Sequence, residues 1–346
     1  MRPGHDPSLT PDVRAAVSWG LDQPVDGETR ALSEFLAGAF GPECVALVHY
    51  GSRAQGRQPR ADSAFDFYVI VDRYRQAYQA LAAAVGTSYA PRIATALNRV
   101  LAPNVISVTS RQGEERRAKC CVISLHDFQR ACSSRRRDHF TQGRLFQWVA
   151  LTWTRDPAGA EAVREAIADV RAGTFAWGLP SLPDEFTVDE YARTLLTRSL
   201  GGEIRPEVGD HARTLVTAQQ DALRQIYTPL LTHLVARGAL AANGGGTSAD
   251  SGAVTYRLLV HPTRLDRARV ALYFQWSKLR ATARLLKHVI LYEGWLDYIV
   301  RKVERSGDTP IVLSRREQRW PLVFLWPRFF RYLRNRPQRR GSRDAD

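Results

Sequence analysis

The chain has 346 residues, 44% of them hydrophobic, which suffices for a globular protein with two structural units. Its formal net charge of +14 at pH 7 indicates a polyanionic partner, such as nucleotide, nucleic acid or an anionic membrane surface. No run approaches the roughly 20 apolar residues of a membrane-spanning helix, and the polar N-terminus does not predict a signal peptide. The four cysteines show no Cys-x-x-Cys spacing, so we expect reduced structural thiols in a cytoplasmic protein.

The hydrophobic pattern of the first 155 residues predicts helices and strands in alternation. We predict helices over 30–40, 74–85, 125–131 and 145–153, and strands over 45–49, 65–71, 104–109 and 118–124. The segment over 65–71 is almost entirely apolar, as expected of a strand that is buried on both faces. These elements predict an α/β (α+β) fold with a small mixed sheet flanked by helices.

The rest of the chain is predicted to be mainly helical. Helical spacing extends over 160–172, 188–197, 212–236 and 276–305, and a Gly/Ser-rich stretch over 243–252 predicts a flexible loop or linker. We therefore divide the chain into an N-terminal segment (1–29), an α/β domain (30–155), a mainly helical second domain (156–260) and a helical, basic C-terminal region (261–346).

The pattern that carries chemistry lies between the first two predicted strands. Residues 49–56 read His-Tyr-Gly-Ser-Arg-Ala-Gln-Gly, which predicts a strand, a Gly-Ser turn and the start of a helix. There the backbone N–H groups of Gly51 and Ser52 can approach a nucleoside triphosphate, and Asp66 on the next strand can hold the Mg²⁺ that bridges its phosphates. This is the layout of a nucleotidyltransferase active site, although a Gly-Ser pair alone is also typical of an ordinary turn. A carboxylate in an apolar strand would be costly without a partner, which favours the metal site.

One carboxylate of the common nucleotidyltransferase pattern is missing. That pattern has two carboxylates two residues apart, and Ala64 stands at the first position and Asp66 at the second. The residues themselves leave two possibilities open. The chain is either a non-catalytic relative or an enzyme whose second metal ligand comes from elsewhere.

Six short motifs follow one another along the chain. They are Tyr50-Gly51-Ser52, Asp66-Phe67, Pro103-Asn104-Val105, Lys119-Cys120-Cys121-Val122, Leu145-Phe146 and Gly202-Glu203-Ile204-Arg205. In this order they resemble the mitochondrial-type phosphatidate cytidylyltransferase family, also named for translocator assembly and maintenance, over about residues 45–235. That family carries a single aspartate in the second motif, as this chain does. The chain departs from the family at Cys120-Cys121, where the family has Tyr-Gly, and at Glu203, where it has Asp.

The resemblance implies a DNA polymerase β-like nucleotidyltransferase fold and a CDP-diacylglycerol synthase that transfers CMP from CTP to phosphatidic acid, with Mg²⁺ as cofactor. The residues implied are Asp66 and Lys119 for catalysis; Tyr50, Gly51, Ser52 and Lys119 for the nucleotide; Asp66 and Glu203 for the metal; and Arg205 for the substrate phosphate. The excess of arginine over lysine suggests a GC-rich bacterial genome. The implied lipid substrate predicts a cytoplasmic enzyme that is peripheral on the inner face of the membrane, and no nucleic-acid partner is expected.

Each of these residues also has a simpler interpretation. Only four of the 49 basic residues are lysines, so Lys119 indicates a need for a compact ammonium, but it is also compatible with a surface lysine. Glu203 and Arg205 follow two glycines and belong either to a tight loop that reaches the site or to a solvated loop. Asp72 is interpreted as a polar strand end, with a metal ligand as the alternative.

The segment over 320–340 alternates aromatic residues with arginines. It suits an interfacial membrane helix best, because Trp and Phe favour the headgroup boundary and Arg attracts anionic lipid. A helical hairpin on the core and a nucleic-acid surface are the alternatives. The alternative functions are accordingly a nucleotidyltransferase that acts on nucleic acid or protein, and a non-catalytic nucleotide- or lipid-binding relative.

Overall fold

A five-stranded mixed sheet organises the N-terminal part of the chain. The computed structural model describes residues 9–55, 64–110, 115–201, 209–244, 254–291 and 314. The strands of the sheet are β1 (Cys44–Tyr50), β2 (Phe65–Val71), β3 (Asn104–Ser110), β4 (Arg116–Ser124) and β5 (Ala150–Thr154). Their order is β3-β4-β2-β1-β5; β2 and β4 are parallel, and the other neighbours are antiparallel.

Helices surround this sheet, and a second, three-stranded sheet follows it. The helices are α1 (Pro11–Val17), α2 (Gly27–Phe40), α3 (Tyr74–Val85), α4 (Pro91–Val100), α5 (Leu125–Cys132), α6 (Gln142–Leu145), α7 (Pro157–Ala172), α8 (Thr174–Gly178), α9 (Val188–Gly201), α10 (Gly209–Ala218), α11 (Gln220–Ala236) and α12 (Arg264–Leu291). The second sheet has the order β6 (Glu185–Thr187), β8 (Thr255–Leu258), β7 (Leu240–Asn243), and all its pairs are antiparallel.

Local chemistry explains where the two helices that flank β1 begin. The side chain of Asp26 accepts a hydrogen bond from the backbone N–H of Thr29 at 2.8 Å, and this caps α2. Asp156 accepts from the backbone N–H of Gly159 at 2.7 Å, with Pro157 in the first turn of α7. Both caps satisfy backbone donors that lack partners within the helix.

The central sheet separates two hydrophobic cores. Because strand side chains alternate between faces, Phe67 and Val69 lie on one face and Tyr68 and Ile70 on the other. The first face packs against side chains of α2, α3 and α4. The second face packs against α5 and the helices of the second half, α7, α9 and α11. The helical half therefore shares one continuous core with the face of the sheet that carries Tyr68.

Residues up to Leu291 form one compact unit, which contains all the helices and strands described above. The second unit, Tyr292–Asp346, lies outside the described residues apart from Ser314. The helices of the described ranges include none that combines the length and the apolar character needed to cross a membrane.

The predicted mixed sheet and most of the predicted elements in the first half are confirmed. The bounds of β2 and α3 agree with the prediction at both ends, and those of β1, β3 and β4 differ by two residues or fewer at either end. The second half also follows the prediction at α7 and α9, which begin or end a few residues away from the predicted limits.

Three predictions were wrong in detail, and one sheet was not predicted. Residues 145–153 are not one helix, because α6 ends at Leu145 and β5 then pairs with the free edge of β1. The helix predicted over 212–236 is interrupted at Gln219. The side-chain amide of this residue forms hydrogen bonds with Gln147 and Trp148. The mainly helical region contains the sheet β6-β8-β7, and the Gly/Ser-rich stretch connects its paired strands β7 and β8. α12 begins 12 residues before the predicted start at 276, and the predicted continuation to 305 lies outside the described residues after Leu291.

Candidate active site

Gly51 follows the last residue of β1 and packs directly against Asp66. Tyr50 pairs with Asp66 across β1 and β2, and Gly51 then takes a φ of +86°, in the left-handed region that favours glycine. A Cβ atom at position 51 would lie 2.6 Å from Oδ2 of Asp66. The glycine therefore allows the turn after β1 to approach the carboxylate closely.

The residues after Gly51 form a turn. The backbone N–H of Gln55 donates to the carbonyl of Gly51 at 3.1 Å, which closes one helical turn around Ser52. The continuation of the predicted helix, over 56–63, lies outside the described residues. The described part thus has the turn geometry that the Gly-Ser pair predicts.

Lys119 lies beside Asp66 on the neighbouring strand. The parallel register of β2 and β4 pairs these two residues, and both side chains are half-buried. Residues that pair in register on adjacent strands point to the same face of the sheet and lie about 4.8 Å apart. The next strand, β3, pairs the exposed Ser107 with Lys119. The structure therefore brings together the two residues that the resemblance implies for catalysis, at the end of the sheet where β2 begins.

Tyr50 lies deeper in the same face. Its hydroxyl is 3.1 Å from Sγ of Cys121, and its ring centroid is 5.1 Å from that of Tyr68. Burial raises the pKa of Tyr50 well above its ordinary value. The phenol is thus neutral, and it lies buried beneath the site next to the thiol of Cys121. Cys120 points into the opposite core.

Arg144 adds a second positive charge that the sequence analysis did not identify. Its Nη1 donates to the carbonyl of Phe140 at 2.6 Å, and its guanidinium stacks over the Phe140 ring, 3.8 Å from the centroid. Burial raises the pKa of the Cys121 thiol, and the positive charges of Arg144 and Lys119 oppose this rise. Arg144 and Lys119 therefore both lie close to Cys121. We call Tyr50, Gly51, Asp66, Lys119 and Arg144 the Asp66 cluster.

A glutamine network fixes the turn after β1 to the helical half. Oε1 of Gln147 accepts from Nε2 of Gln55 at 3.0 Å and from Nε2 of Gln219 at 3.1 Å. Oε1 of Gln219 in turn accepts from the backbone N–H of Trp148 at 3.1 Å. All three glutamine side chains are buried. The break between α10 and α11 at Gln219 thus contributes directly to the position of the turn.

Arg171 holds the chain segment that follows Arg144. It is fully buried on α7 and donates to four backbone carbonyls. The acceptors are Val17 at 2.7 Å, Trp19 at 2.9 Å, Gln147 at 3.0 Å and Leu145 at 3.4 Å. Burial lowers the pKa of Arg171 to about 10, so the guanidinium remains charged at neutral pH. It fixes the backbone on both sides of Phe146 and therefore helps to place Arg144.

The C-terminal end of α9 lies next to the same segment. Oγ of Ser199 is 3.0 Å from Nε2 of His139, and a Cβ atom at Gly143 would lie 2.7 Å from that Oγ. After α9 ends at Gly201, residues 202–208 lie outside the described residues. Glu203 and Arg205 belong to that segment, so their assignment to the Asp66 site stays a prediction.

Asp72 is remote from Asp66. It follows the last residue of β2, six residues from Asp66, which corresponds to about 20 Å along a strand. Its Oδ2 accepts from Nη1 of Arg155 at 2.6 Å on the protein surface. This supports its interpretation as a polar strand end and not as a second ligand at the site.

The side chains at the site are compatible with a magnesium ion that takes some of its ligands from the protein and the others from a substrate. No group of three or more His, Cys, Asp or Glu side chains suited to a metal occurs among the described residues. Mg²⁺ in phosphoryl-transfer sites is commonly held by one or two carboxylates, with substrate phosphates and waters completing its octahedron. Asp66 is a hard oxygen donor flanked by cations that suit the same phosphates, so the residues present fit such an ion.

Comparisons with protein families and with curated proteins identify no relative. No protein-family model matches the chain, and no curated protein matches it at a significant level. The family resemblance of the short motifs therefore remains a prediction.

Proposed function

We propose that the chain is a nucleotidyltransferase that transfers CMP from CTP to phosphatidic acid, giving CDP-diacylglycerol and pyrophosphate. The observation that carries the proposal is the register of Asp66 and Lys119 on parallel strands, with Gly51 packed against the Asp66 carboxylate. A carboxylate, an adjacent ammonium and a glycine turn are the groups that phosphoryl transfer to or from a triphosphate requires.

Four residues of the Asp66 cluster, together with Ser52, have a role in this reaction. The backbone at Gly51 and Ser52 binds the β- and γ-phosphates, because no side chain at Gly51 blocks their approach. Lys119 and Arg144 neutralise negative charge on the triphosphate and on the departing pyrophosphate. Mg²⁺ held by Asp66 would supply charge neutralisation across the phosphate oxygens.

The bonds change in a single in-line displacement. An oxygen of the lipid phosphate attacks the α-phosphorus of CTP, a new P–O bond forms, and the bond to the β-phosphate oxygen breaks. Pyrophosphate leaves with the electron pair. The protein contributes position and electrostatic stabilisation and forms no covalent bond of its own.

The lipid acceptor is supported by the surface of α12 and by the charge of the chain. Four apolar side chains on this helix are each more than half exposed: Leu265, Leu272, Trp276 and Leu279. Arg264, Arg267 and Arg269 are exposed on the same helix. Each basic residue near an anionic surface contributes about 1 kcal/mol to binding. We therefore place the protein in the cytoplasm, bound peripherally to the inner face of the membrane.

Turnover by the full-length protein tests the proposal. Pyrophosphate release is measured with each of the four nucleoside triphosphates, with and without vesicles that contain phosphatidic acid. We expect activity with CTP and phosphatidic acid that is abolished in Asp66→Asn. Asp72→Asn is the matched control, because it removes a carboxylate at the other end of the same strand. Equal activity in wild type and Asp66→Asn would reject the mechanism.

A binding experiment separates the lipid acceptor from a nucleic-acid acceptor, which the net charge of +14 also suits. The protein is sedimented with anionic liposomes and, separately, titrated with RNA and DNA. We expect salt-sensitive liposome binding that decreases when residues 320–346 are deleted, while CTP binding is retained. Tight RNA or DNA binding without liposome binding would favour the alternative substrate class.

A further inference from the structure

A basic cleft lies at the other end of the sheet from the Asp66 cluster. It is bounded by the end of α4, by α5, by the segment over 137–141 and by α12. Five arginines line it: Arg99, Arg130, Arg137, Arg280 and Arg284. Its free volume is about 40 Å³, roughly the space of three water molecules. This space suits a single phosphate group. We call this the arginine cleft.

The cleft carries an excess of positive charge. Only two carboxylates, Asp127 and Asp138, line it together with the five arginines, which leaves a net charge of +3 (five minus two). Oδ2 of Asp138 accepts from Nε of Arg280 at 2.7 Å and from Nη2 of Arg284 at 2.8 Å. Oδ1 of Asp127 accepts from Arg130 at 2.6 Å. Each carboxylate therefore already forms an ion pair with at least one arginine of the cleft.

Two arginines of the cleft have no such partner. Within the described part of the chain, neither Arg99 nor Arg137 forms an ion pair, and both side chains are exposed at the mouth of the cleft. The excess charge also acts on a buried neighbour. Burial, followed by the charges of Arg284 and Arg280, lowers the pKa of Lys287 to about 7.

Two N–H-bearing nitrogens of Arg284 have no hydrogen-bond acceptor among the described residues. Arg284 is only 5% exposed, and its Nη2 donates to Oδ2 of Asp138 and to the carbonyl of Ala102. Its Nε and Nη1 are buried and have no hydrogen-bond partner among the described residues. Buried guanidinium N–H groups without acceptors are costly. These two groups lie behind the surface of the cleft, where the guanidinium packs over the Phe140 ring at 4.5 Å from its centroid. An anion in the cleft would compensate the net charge, which water cannot do.

From these observations we infer that the arginine cleft is a second anion site, which binds a phosphate monoester or inorganic phosphate. Guanidinium groups suit this ligand because their planar N–H pairs match two phosphate oxygens. The site is distinct from Asp66 and Lys119. Arg144 lies nearer to it, because the guanidinium groups of Arg144 and Arg284 lie over the same Phe140 ring, 3.8 and 4.5 Å from its centroid. Ile123 lines the cleft four residues along β4 from Lys119, which corresponds to about 13 Å.

Binding of inorganic phosphate to the full-length protein tests the inference. The affinity is measured by isothermal titration at constant ionic strength for wild type, Arg99→Gln and Arg137→Gln. The matched control is Arg135→Gln, which removes an exposed arginine from the same surface segment but outside the cleft. Loss of one charge-assisted contact should weaken phosphate binding about tenfold in each cleft variant and leave the control unchanged. The same affinity in the Arg99→Gln/Arg137→Gln double variant as in Arg135→Gln would overturn the site.

Two further arms identify the site and the source of its ligand. Lys119→Gln should keep the part of phosphate binding that is lost in the Arg99→Gln/Arg137→Gln double variant. If the double variant weakens phosphate binding in wild type but not in the Lys119→Gln background, the binding belongs to the Asp66 cluster and the inference is overturned. Glycerol 1-phosphate and phosphatidic acid vesicles are then compared on the same variants. A cleft-dependent loss of vesicle binding identifies a lipid headgroup as the ligand. A cleft-dependent loss for glycerol 1-phosphate alone identifies a soluble phosphate.

Discussion

Gly51 and Asp66 are in direct contact across the end of β1 and β2. The space where a Cβ atom would stand on Gly51 lies 2.6 Å from Oδ2 of Asp66, and the φ of Gly51 is +86°. Any side chain at position 51 thus displaces the carboxylate and strains the backbone. The pair links the two motifs that define the site, because the glycine of the first motif sets the position of the aspartate of the second.

We expect Gly51→Ala to reduce turnover about 100-fold, because a displacement of about 1 Å at a reacting group costs this much. Gly238→Ala is the control, since Gly238 also has a positive φ (+69°) but has no atom within 4 Å of its Cβ position. Activity is measured as pyrophosphate release, and folding is checked by thermal unfolding. If both variants lose stability equally and both keep wild-type activity, the contact with Asp66 has no functional role.

Replacement of Lys119 should remove the positive charge that faces the triphosphate. We expect Lys119→Gln to lower turnover on the order of 100-fold or more and to weaken CTP binding, because positioned charges contribute most in a partly desolvated site. Lys278→Gln is the matched control, since Lys278 is exposed on α12. Equal CTP affinity in Lys119→Gln and Lys278→Gln would assign Lys119 to the ordinary surface.

The sequence predicts the parts of this fold that depend on local pattern. The apolar run of β2 and the helical spacing of α3 determine their bounds without reference to the rest of the chain. β5 was predicted as a helix because its conformation depends on pairing with the edge of β1, which lies about 100 residues earlier. The spacing of hydrophobic residues along the sequence does not by itself distinguish a short apolar strand from a helix.

The same distinction applies to the site. Gly51, Ser52, Asp66 and Lys119 are visible in the sequence as a motif, although only the parallel register shows that Asp66 and Lys119 are neighbours. Arg144 and Gln219 carry no sequence signal of this kind. One is among 45 arginines, and the other is a polar residue in a helical pattern, whose role depends on contacts with residues 147 and 148.

Arg144 should contribute to nucleotide binding through its charge. We expect Arg144→Gln to weaken CTP binding about tenfold or more, because it removes a guanidinium that packs over Phe140 and whose charge acts on Tyr50 and Cys121. Arg144→Lys keeps the charge and should recover part of the affinity. CTP titration measures both variants. An unchanged affinity in Arg144→Gln would show that Arg144 serves only to pack against Phe140.

Removal of Arg171 should destabilise the fold. Arg171→Met leaves four backbone carbonyls, three of them in buried hydrogen bonds, without their donor, so we expect the free energy of unfolding to fall by about 3 kcal/mol or more in urea denaturation. Arg164→Met is the control on the same helix. Arg164 pairs with Asp22 at the surface, 2.7 Å away, and its loss should cost about 1 kcal/mol at most. A similar cost for both variants would contradict the structural role of Arg171.

His49 should make stability depend on pH. The ring is buried between Phe65 and Phe67, with centroids 5.9 and 5.0 Å away, and its Nε2 has no hydrogen-bond partner among the described residues. Burial lowers its pKa from 6.5 to about 4. Between these values the unfolded chain binds a proton that the folded protein does not, so stability decreases as pH falls from 6.5 to about 4. The loss from this group is on the order of 3 kcal/mol.

His49→Phe removes the titrating group and keeps an aromatic ring between Phe65 and Phe67. We expect its free energy of unfolding, measured in urea at several pH values, to vary less than that of wild type between pH 4 and 6.5. His126→Gln is the control, because the side chain of His126 is 82% exposed and should not alter the pH dependence. If His49→Phe and wild type lose stability in parallel over this range, protonation of His49 is not the cause.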